Sequence, residues 1–152
     1  MAQINAKKHE LKNVSKLHFA KYKSNTSIST GSEKLLLFYS IECGLKYLIL
    51  EQNKKNSTND FQNILDSNGK SVKEIGHNIE KMLRILKVEN IKLPKLPTKI
   101  KDEKGNIINA ESSQYNQVWR YGIECDEEIE LKIEEALNKV MKHIRNRMGN
   151  RA

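Results

Sequence analysis

Four histidines, at positions 9, 18, 77 and 143, are the side chains of this 152-residue sequence best placed to move protons near neutral pH. They are scattered, with no H-E-x-x-H helix and no ligand-like pairing to Cys43 or Cys125. Two cysteines are too few for a zinc site without histidine help, and neither stands in a C-x-x-C pair. Cys43 lies in an apolar run and reads as a small buried hydrophobe. Glu124, Asp126, Glu127, Glu128 and Glu130 cluster around Cys125 and have the oxygens to hold a divalent cation. A helix N-terminus accounts for the same acids more economically. The glycine-containing stretches GSEK at 31–34 and GNII at 105–108 lack the spacing of a phosphate loop. Neither a metal nor a cofactor is expected.

Two histidines have informative surroundings. His77 opens the run GHNIEKML (76–83), where it serves either chemistry or the start and packing of a helix; packing is the expected role. His143 follows Asn138, Lys139 and Lys142 and precedes Arg145 and Arg147, a basic setting suited to a phosphate. It is read either as a displaced catalytic residue or, preferably, as a surface histidine on the polar side of a helix. Arg120 sits among Tyr115, Trp119 and Tyr121; aromatics beside arginine can stack bases, but they also anchor loop ends to a core, the favoured reading.

Overall charge points the same way. There are 27 Lys and Arg against 19 Asp and Glu, a formal net of +8, which makes RNA or another acidic surface a candidate partner. Only five of the cations are arginines, and lysine-rich surfaces often serve solubility alone, so charge leaves the question open. The start MAQINAKKHELK lacks the apolar core of a signal peptide. The apolar segment Leu35–Leu50 contains Glu42 and Lys46 and is too short to span a bilayer. No membrane association and a cytoplasmic location are expected.

The elements that position these residues are helical. Residues 5–23 place Leu11, Val14, Leu17 and Tyr22 at helical spacing among six lysines, which predicts a basic amphipathic helix, read as a solvated outer face or, alternatively, as a surface for RNA or a partner. Ser24–Ser32 reads as a Ser/Thr-rich linker ending in the capping box Thr30-Gly31-Ser32-Glu33. The helix predicted over 32–53 is apolar on nearly every face and must be central. Asp60 is expected to cap a short turn ending at Asn68-Gly69, and Ser71-Val72-Lys73-Glu74 to cap a helix running to Lys87. Pro94 and Pro97 break the pattern, and 90–118 reads as an irregular insertion with a hairpin over 99–109. A last helix begins near Asp126, with Ile129, Ile133, Leu137, Val140, Ile144 and Met148 on one stripe. The fold class is therefore all-α, a bundle of four to five helices with one small hairpin insertion. Residues 1–31 form a basic helix and linker packed on a bundle of residues 32–152.

Three stretches together resemble HEPN domains, small prokaryotic helical bundles. SIECGLKYLIL (40–50) is similar to their A-E-x-A-L-K-x-L-L helix, GHNIEKML (76–83) to their G-H-D-L helix start, and WRYG (119–122) to the turn before their last helix. The order matches across residues 32–148. The resemblance implies a family divided in two. Some members are metal-independent ribonucleases that use an Arg-x(4–6)-His motif, usually paired across a dimer, as toxins or in phage defence. Others lack the motif and act as binding or assembly modules.

This sequence lacks that motif: the nearest arginine before His143 is Arg120, 23 residues upstream, and Asn138 stands where the motif arginine would be. Asparagine cannot supply the fixed positive charge that a developing phosphorane needs. The expected function is a non-catalytic HEPN-like binding or assembly subunit in a phage-defence or toxin–antitoxin-like system. It is expected to be a homodimer, with RNA or a protein from the same operon as partner. Lys139, Lys142, Arg145, Arg147 and Arg120 are its candidate nucleic-acid contacts. The alternatives are a ribonuclease with a displaced site around His143 and Asn138, and a pure protein-interaction module.

Overall fold

The structure, a computed structural model, describes residues 5–24 and 30–149. Most of the linker expected at Ser24–Ser32 falls at 25–29, outside the described residues.

The central element is helix α2, Gly31–Gln52. Its start is the expected capping box: the Glu33 amide donates to Thr30 Oγ1 at 3.4 Å, and the Thr30 amide donates to Glu33 Oε2 at 3.4 Å. Leu37, Phe38, Ile41, Leu45, Leu48, Ile49 and Leu50 are all buried, so most faces of this helix need a neighbour. Those neighbours are α1 (Lys8–Lys23), α3 (Ile79–Ile85), α4 (Tyr115–Arg120) and α5 (Glu127–Arg147), each packed against α2. The described residues are thus mostly helical, with a two-stranded antiparallel sheet, β1 (Leu96–Lys101) and β2 (Ile107–Ala110).

Helix α1 meets α2 at its closest point. Ser15 Oγ donates to the Ser40 carbonyl at 2.7 Å, and Ser40 Oγ donates to the Ser15 carbonyl at 2.6 Å. One turn along, a side chain on Gly44 would lie 2.7 Å from Ile144 Cγ2 of α5 and 2.9 Å from Ser15 Oγ. The inward stripe of α1 differs from the expected one. Leu11 and Ser15 are buried, whereas Val14 and Leu17 are 37% and 55% exposed. A polar serine is favoured at the contact because its small volume admits the close approach and its hydroxyl finds a backbone acceptor.

Helix α5 follows the sequence closely. The Ile129 amide donates to Asp126 Oδ1 at 3.0 Å as the cap, and Ile133, Leu137, Val140, Met141 and Ile144 form the buried stripe.

Three expectations are corrected. Helix α3 is a seven-residue helix capped by Asn78, whose Oδ1 accepts from the Lys81 amide at 3.0 Å, and does not start at Ser71. Ser71 Oγ turns back to donate to the Gln62 carbonyl at 2.9 Å, and Gly76 has φ +51°, outside the right-handed helix. Asp60 is not an N-cap: Ser57 begins the 3-10 turn Thr58–Asn63, and Asp60 Oδ2 accepts from the Asn56 and Ser57 amides at 3.1 and 3.2 Å. The Asn68-Gly69 pair is the tip of a tight turn, in which Asp66 Oδ1 accepts from the Asn68 and Lys70 amides at 2.9 and 3.0 Å.

The irregular insertion is also shorter than 90–118. The hairpin turns at 102–106, with Gly105 at φ +81° and Asp102 Oδ1 accepting from the Lys104 and Asn106 amides. Beyond it the chain becomes helical again at Ser112–Gln114 and α4, because Tyr115, Val118 and Trp119 supply a buried face.

The three-helix contact at Gly44 yields a direct test. Gly44→Ala should lower the unfolding free energy by about 1–3 kcal/mol, the usual range for overpacking a filled core. Urea denaturation would measure it; an unchanged midpoint would show that Ile144 gives way freely.

Candidate nucleic-acid interface

The site residues expected from sequence lie on two flanks of α5 and at one end of α4. At about 100° per residue, Asn138 and His143 stand about 140° apart around the helix. Asn138 faces α1, where its Nδ2 donates to Tyr22 Oη at 3.1 Å and to the Glu134 carbonyl at 3.1 Å. Tyr22 Oη in turn donates to Glu134 Oε2 at 2.7 Å. This closed network clips the C-terminal part of α1 to α5. Asn138 and His143 therefore form no shared centre.

His143 is half-buried, with Nε2 shielded from solvent and without a hydrogen-bond partner. Burial, and then the Arg147 guanidinium one turn on, push its pKa below the ordinary imidazole value. It is thus not the surface histidine expected. Lys139 and Arg147 lie on its flank of α5, each a turn away in sequence.

Arg145 lies on the α1 flank. Its guanidinium carbon is 5.0 Å from the centre of the Phe19 ring, and Lys23 Nζ is 5.9 Å from the same ring. Tyr22 stacks beside Phe19 with centroids 6.1 Å apart and planes 26° apart. Lys16, Phe19, Ala20 and Lys23 of α1 with Met141 and Arg145 of α5 line an open cleft of about 410 Å³. Lys142, exposed, is on this same flank by helical position. Among the described residues the cleft thus holds three cations, two of them beside an aromatic ring, and no carboxylate lines it.

Phe19 was not among the expected contacts, and Lys16 and Lys23 were expected only as part of the basic helix over 5–23, not as a group with Arg145. Their signal was present: residues 16, 19 and 23 recur at the i, i+3, i+7 spacing of one helical face. It was hidden because Leu11, Val14 and Leu17 suggested a different inward stripe.

Arg120 is not part of this cleft. It donates to Tyr39 Oη of α2 and lies over that ring, 5.9 Å from the centroid. The His18 ring approaches Tyr39 with centroids 6.5 Å apart, and His18 Nδ1 is buried without a partner. Burial, and then Lys21, lower the pKa of His18.

His77 precedes the cap of α3, and its Nδ1 pairs with Glu42 Oε1 of α2. Lys46 Nζ lies 3.8 Å from the other Glu42 oxygen. The ring thus ties the start of α3 to the central helix, as its position suggested.

The acidic cluster divides in two. Asp126 caps α5, while Glu130 turns inward, accepting from Trp119 Nε1 at 3.2 Å and Cys125 Sγ at 2.7 Å and pairing with Lys34. Burial alone would raise the Glu130 pKa, but these donors and the Lys34 charge bring it below the usual value. Burial, and then Glu130, push the Cys125 thiol up to about 12, so it is not a nucleophile. Among the described residues no group of three His, Cys, Asp or Glu side chains could hold a metal ion, and no helix is long and apolar enough to cross a membrane.

His18 and His143 set a pH dependence. Both have folded pKa values lowered from 6.5, so the unfolded chain binds protons that the folded chain refuses. Their stabilising contribution is full above the unfolded value and is lost as pH falls from 6.5 toward the folded values. The melting temperature should drop across that window, and His143→Gln should flatten the drop. An identical slope in the variant would mean that His143 titrates normally.

Comparison with protein-family models, with curated proteins and with solved structures finds no match to this chain, so its function rests on the geometry of these residues.

Proposed function

We propose that this chain is a non-catalytic, HEPN-like binding subunit that holds single-stranded RNA along the cleft between α1 and α5. The observation that carries the reading is Phe19 with Arg145 at 5.0 Å and Lys23 at 5.9 Å from its ring, in a cleft that also contains Lys16. Cations beside an aromatic ring in an open, acid-free groove are how proteins hold single strands without reading sequence: phosphates meet the charges and bases meet the rings. Lys142 extends the positive surface along α5. Lys139 and Arg147 would widen it on the far flank.

A ribonuclease centred on His143 has less support. Asn138 is committed to Tyr22 and Glu134, and His143 Nε2 is enclosed without a partner. General acid–base chemistry needs a ring nitrogen that reaches the substrate. The expectations of a homodimer, of a protein partner and of a role in prokaryotic defence belong to this reading through the HEPN resemblance alone.

Fluorescence anisotropy of a labelled single-stranded RNA against salt tests the proposal. Log affinity should fall linearly with log salt, by about 0.7 per phosphate neutralised. Arg145→Gln should lower that slope by about one contact. Phe19→Ala should weaken binding by about 1 kcal/mol or more through lost stacking. No binding at low salt would leave only a protein-interaction role. RNA cleavage in EDTA that disappears in His143→Ala would establish the ribonuclease instead.

A further inference from the structure

A second cleft, of about 550 Å³, opens where the C-terminal ends of α2 and α3 meet the 66–70 turn. Gln52 and Asn53 border it from α2, Arg84 and Lys87 from the end of α3, and Leu65 from below the turn. Its size falls within the range of small-molecule sites.

Both helices end in the same backbone motif. In α3 the Val88 amide donates to the Leu83 carbonyl at 2.8 Å and the Lys87 amide to the Arg84 carbonyl at 3.0 Å. In α2 the Lys55 amide donates to the Leu50 carbonyl at 2.9 Å and the Lys54 amide to the Glu51 carbonyl at 3.2 Å. This motif places its pivot residue in the left-handed region, and glycine normally occupies it. Helix α5 obeys, with Gly149 at φ +78°, but α3 and α2 use Lys87 at φ +60° and Lys54 at φ +56°. At Lys87 the strained position puts an ammonium-bearing side chain on the wall of the cleft.

Side-chain charge there is in excess on the basic side, although the carboxyl ends of α2 and α3 set their negative dipole ends against part of it. Asp66 is the one carboxylate lining the cleft, and it is already engaged: Oδ1 by two backbone amides, and Oδ2 by Lys81 at 3.8 Å. Arg84 and Lys87 have no side-chain hydrogen bond or ion pair among the described residues. Arg84 contributes the planar fork that grips phosphate oxygens in pairs. Beside these cations Leu65 is 62% exposed and Ile85 is partly buried, so an apolar wall adjoins the positive one.

We propose that this cleft binds a mononucleotide, its phosphate on Arg84 and Lys87 and its base against Leu65 and Ile85. Gln52 also lines the cleft, as does Asn53, whose Nδ2 donates to the Ile49 carbonyl at 2.8 Å and so leaves Oδ1 to face a polar edge of the ligand. The site shares no residue with the α1–α5 cleft, so it does not depend on the RNA reading.

Titration of the full chain with a fluorescent AMP analogue, competed by AMP and by inorganic phosphate, tests it. Saturable binding is expected, with AMP the better competitor. Arg84→Gln should weaken binding about tenfold or more, as loss of a bidentate charged contact does. Lys87→Gly should weaken it several-fold while the melting temperature stays the same or rises, since glycine is free in the left-handed region. That variant separates a ligand role from a folding role. Arg145→Gln should leave binding unchanged. Absence of saturable binding, or full affinity in Arg84→Gln, would overturn the proposal. So would equal competition by inorganic phosphate, which needs no base wall. An equal loss in Arg145→Gln would place the nucleotide in the α1–α5 cleft and overturn it too.

Discussion

The structure depends on the close approach of α1, α2 and α5 at Gly44. Without a Cβ there, Ile144 and the Ser15 hydroxyl can both press onto the backbone of α2. The two serine hydroxyls then solve the problem the approach creates. Each is fully buried, and each donates to the other residue's carbonyl, so neither is left without a partner. Two reciprocal bonds also fix the register of α1 along α2, because a shift by one residue would break both. An apolar pair could fill the same volume but would not choose a register.

The surface chemistry follows from that register. Phe19 is one turn beyond Ser15, and Arg145 is the residue after Ile144, so fixing Ser15 and Ile144 against Gly44 brings Phe19 and Arg145 together. The Tyr22–Glu134–Asn138 network then secures the same two helices one turn further on. The placement of α1 beside α5 at the cleft therefore follows from how both pack on α2. Its arginine stands against an aromatic ring, where guanidinium holds its position better than a freely hydrated ammonium would.

The long helices were legible in the sequence because their signals are local. Thr30 and Glu33 announce α2, which continues as a long run apolar on nearly every face, and Asp126 announces α5, which continues as a single apolar stripe. The segment 71–78 misled because its capping-box pattern is equally compatible with a serine that bonds across to Gln62, and only tertiary contact decides. The inward face of α1 was misread for a related reason. Leucine and valine outweigh serine in any hydrophobic pattern, yet the contact at Gly44 selects for small size. The cations of the candidate site were partly visible as a basic run on α5, but their grouping was not. Helical geometry separates Asn138 from His143, and Phe19 and Arg145 lie 126 residues apart in the chain.

The use of histidine makes the same point about chemistry. Glu42 is a buried carboxylate in the middle of the most apolar helix, and an uncompensated charge there would be costly. His77 and Lys46 supply the compensation, one from outside the helix and one from its next turn. The arrangement explains why a histidine stands immediately before a short helix: its ring is the strut that holds α3 against α2, where a seven-residue helix has too few turns to be stable alone. His18 and His143 are committed differently, each with a ring nitrogen enclosed in the interface it packs into. The enclosed nitrogen of each ring does not face solvent, and burial lowers the pKa of both rings from the ordinary imidazole value. These three rings thus serve the architecture, one as a strut between helices and two through a buried nitrogen.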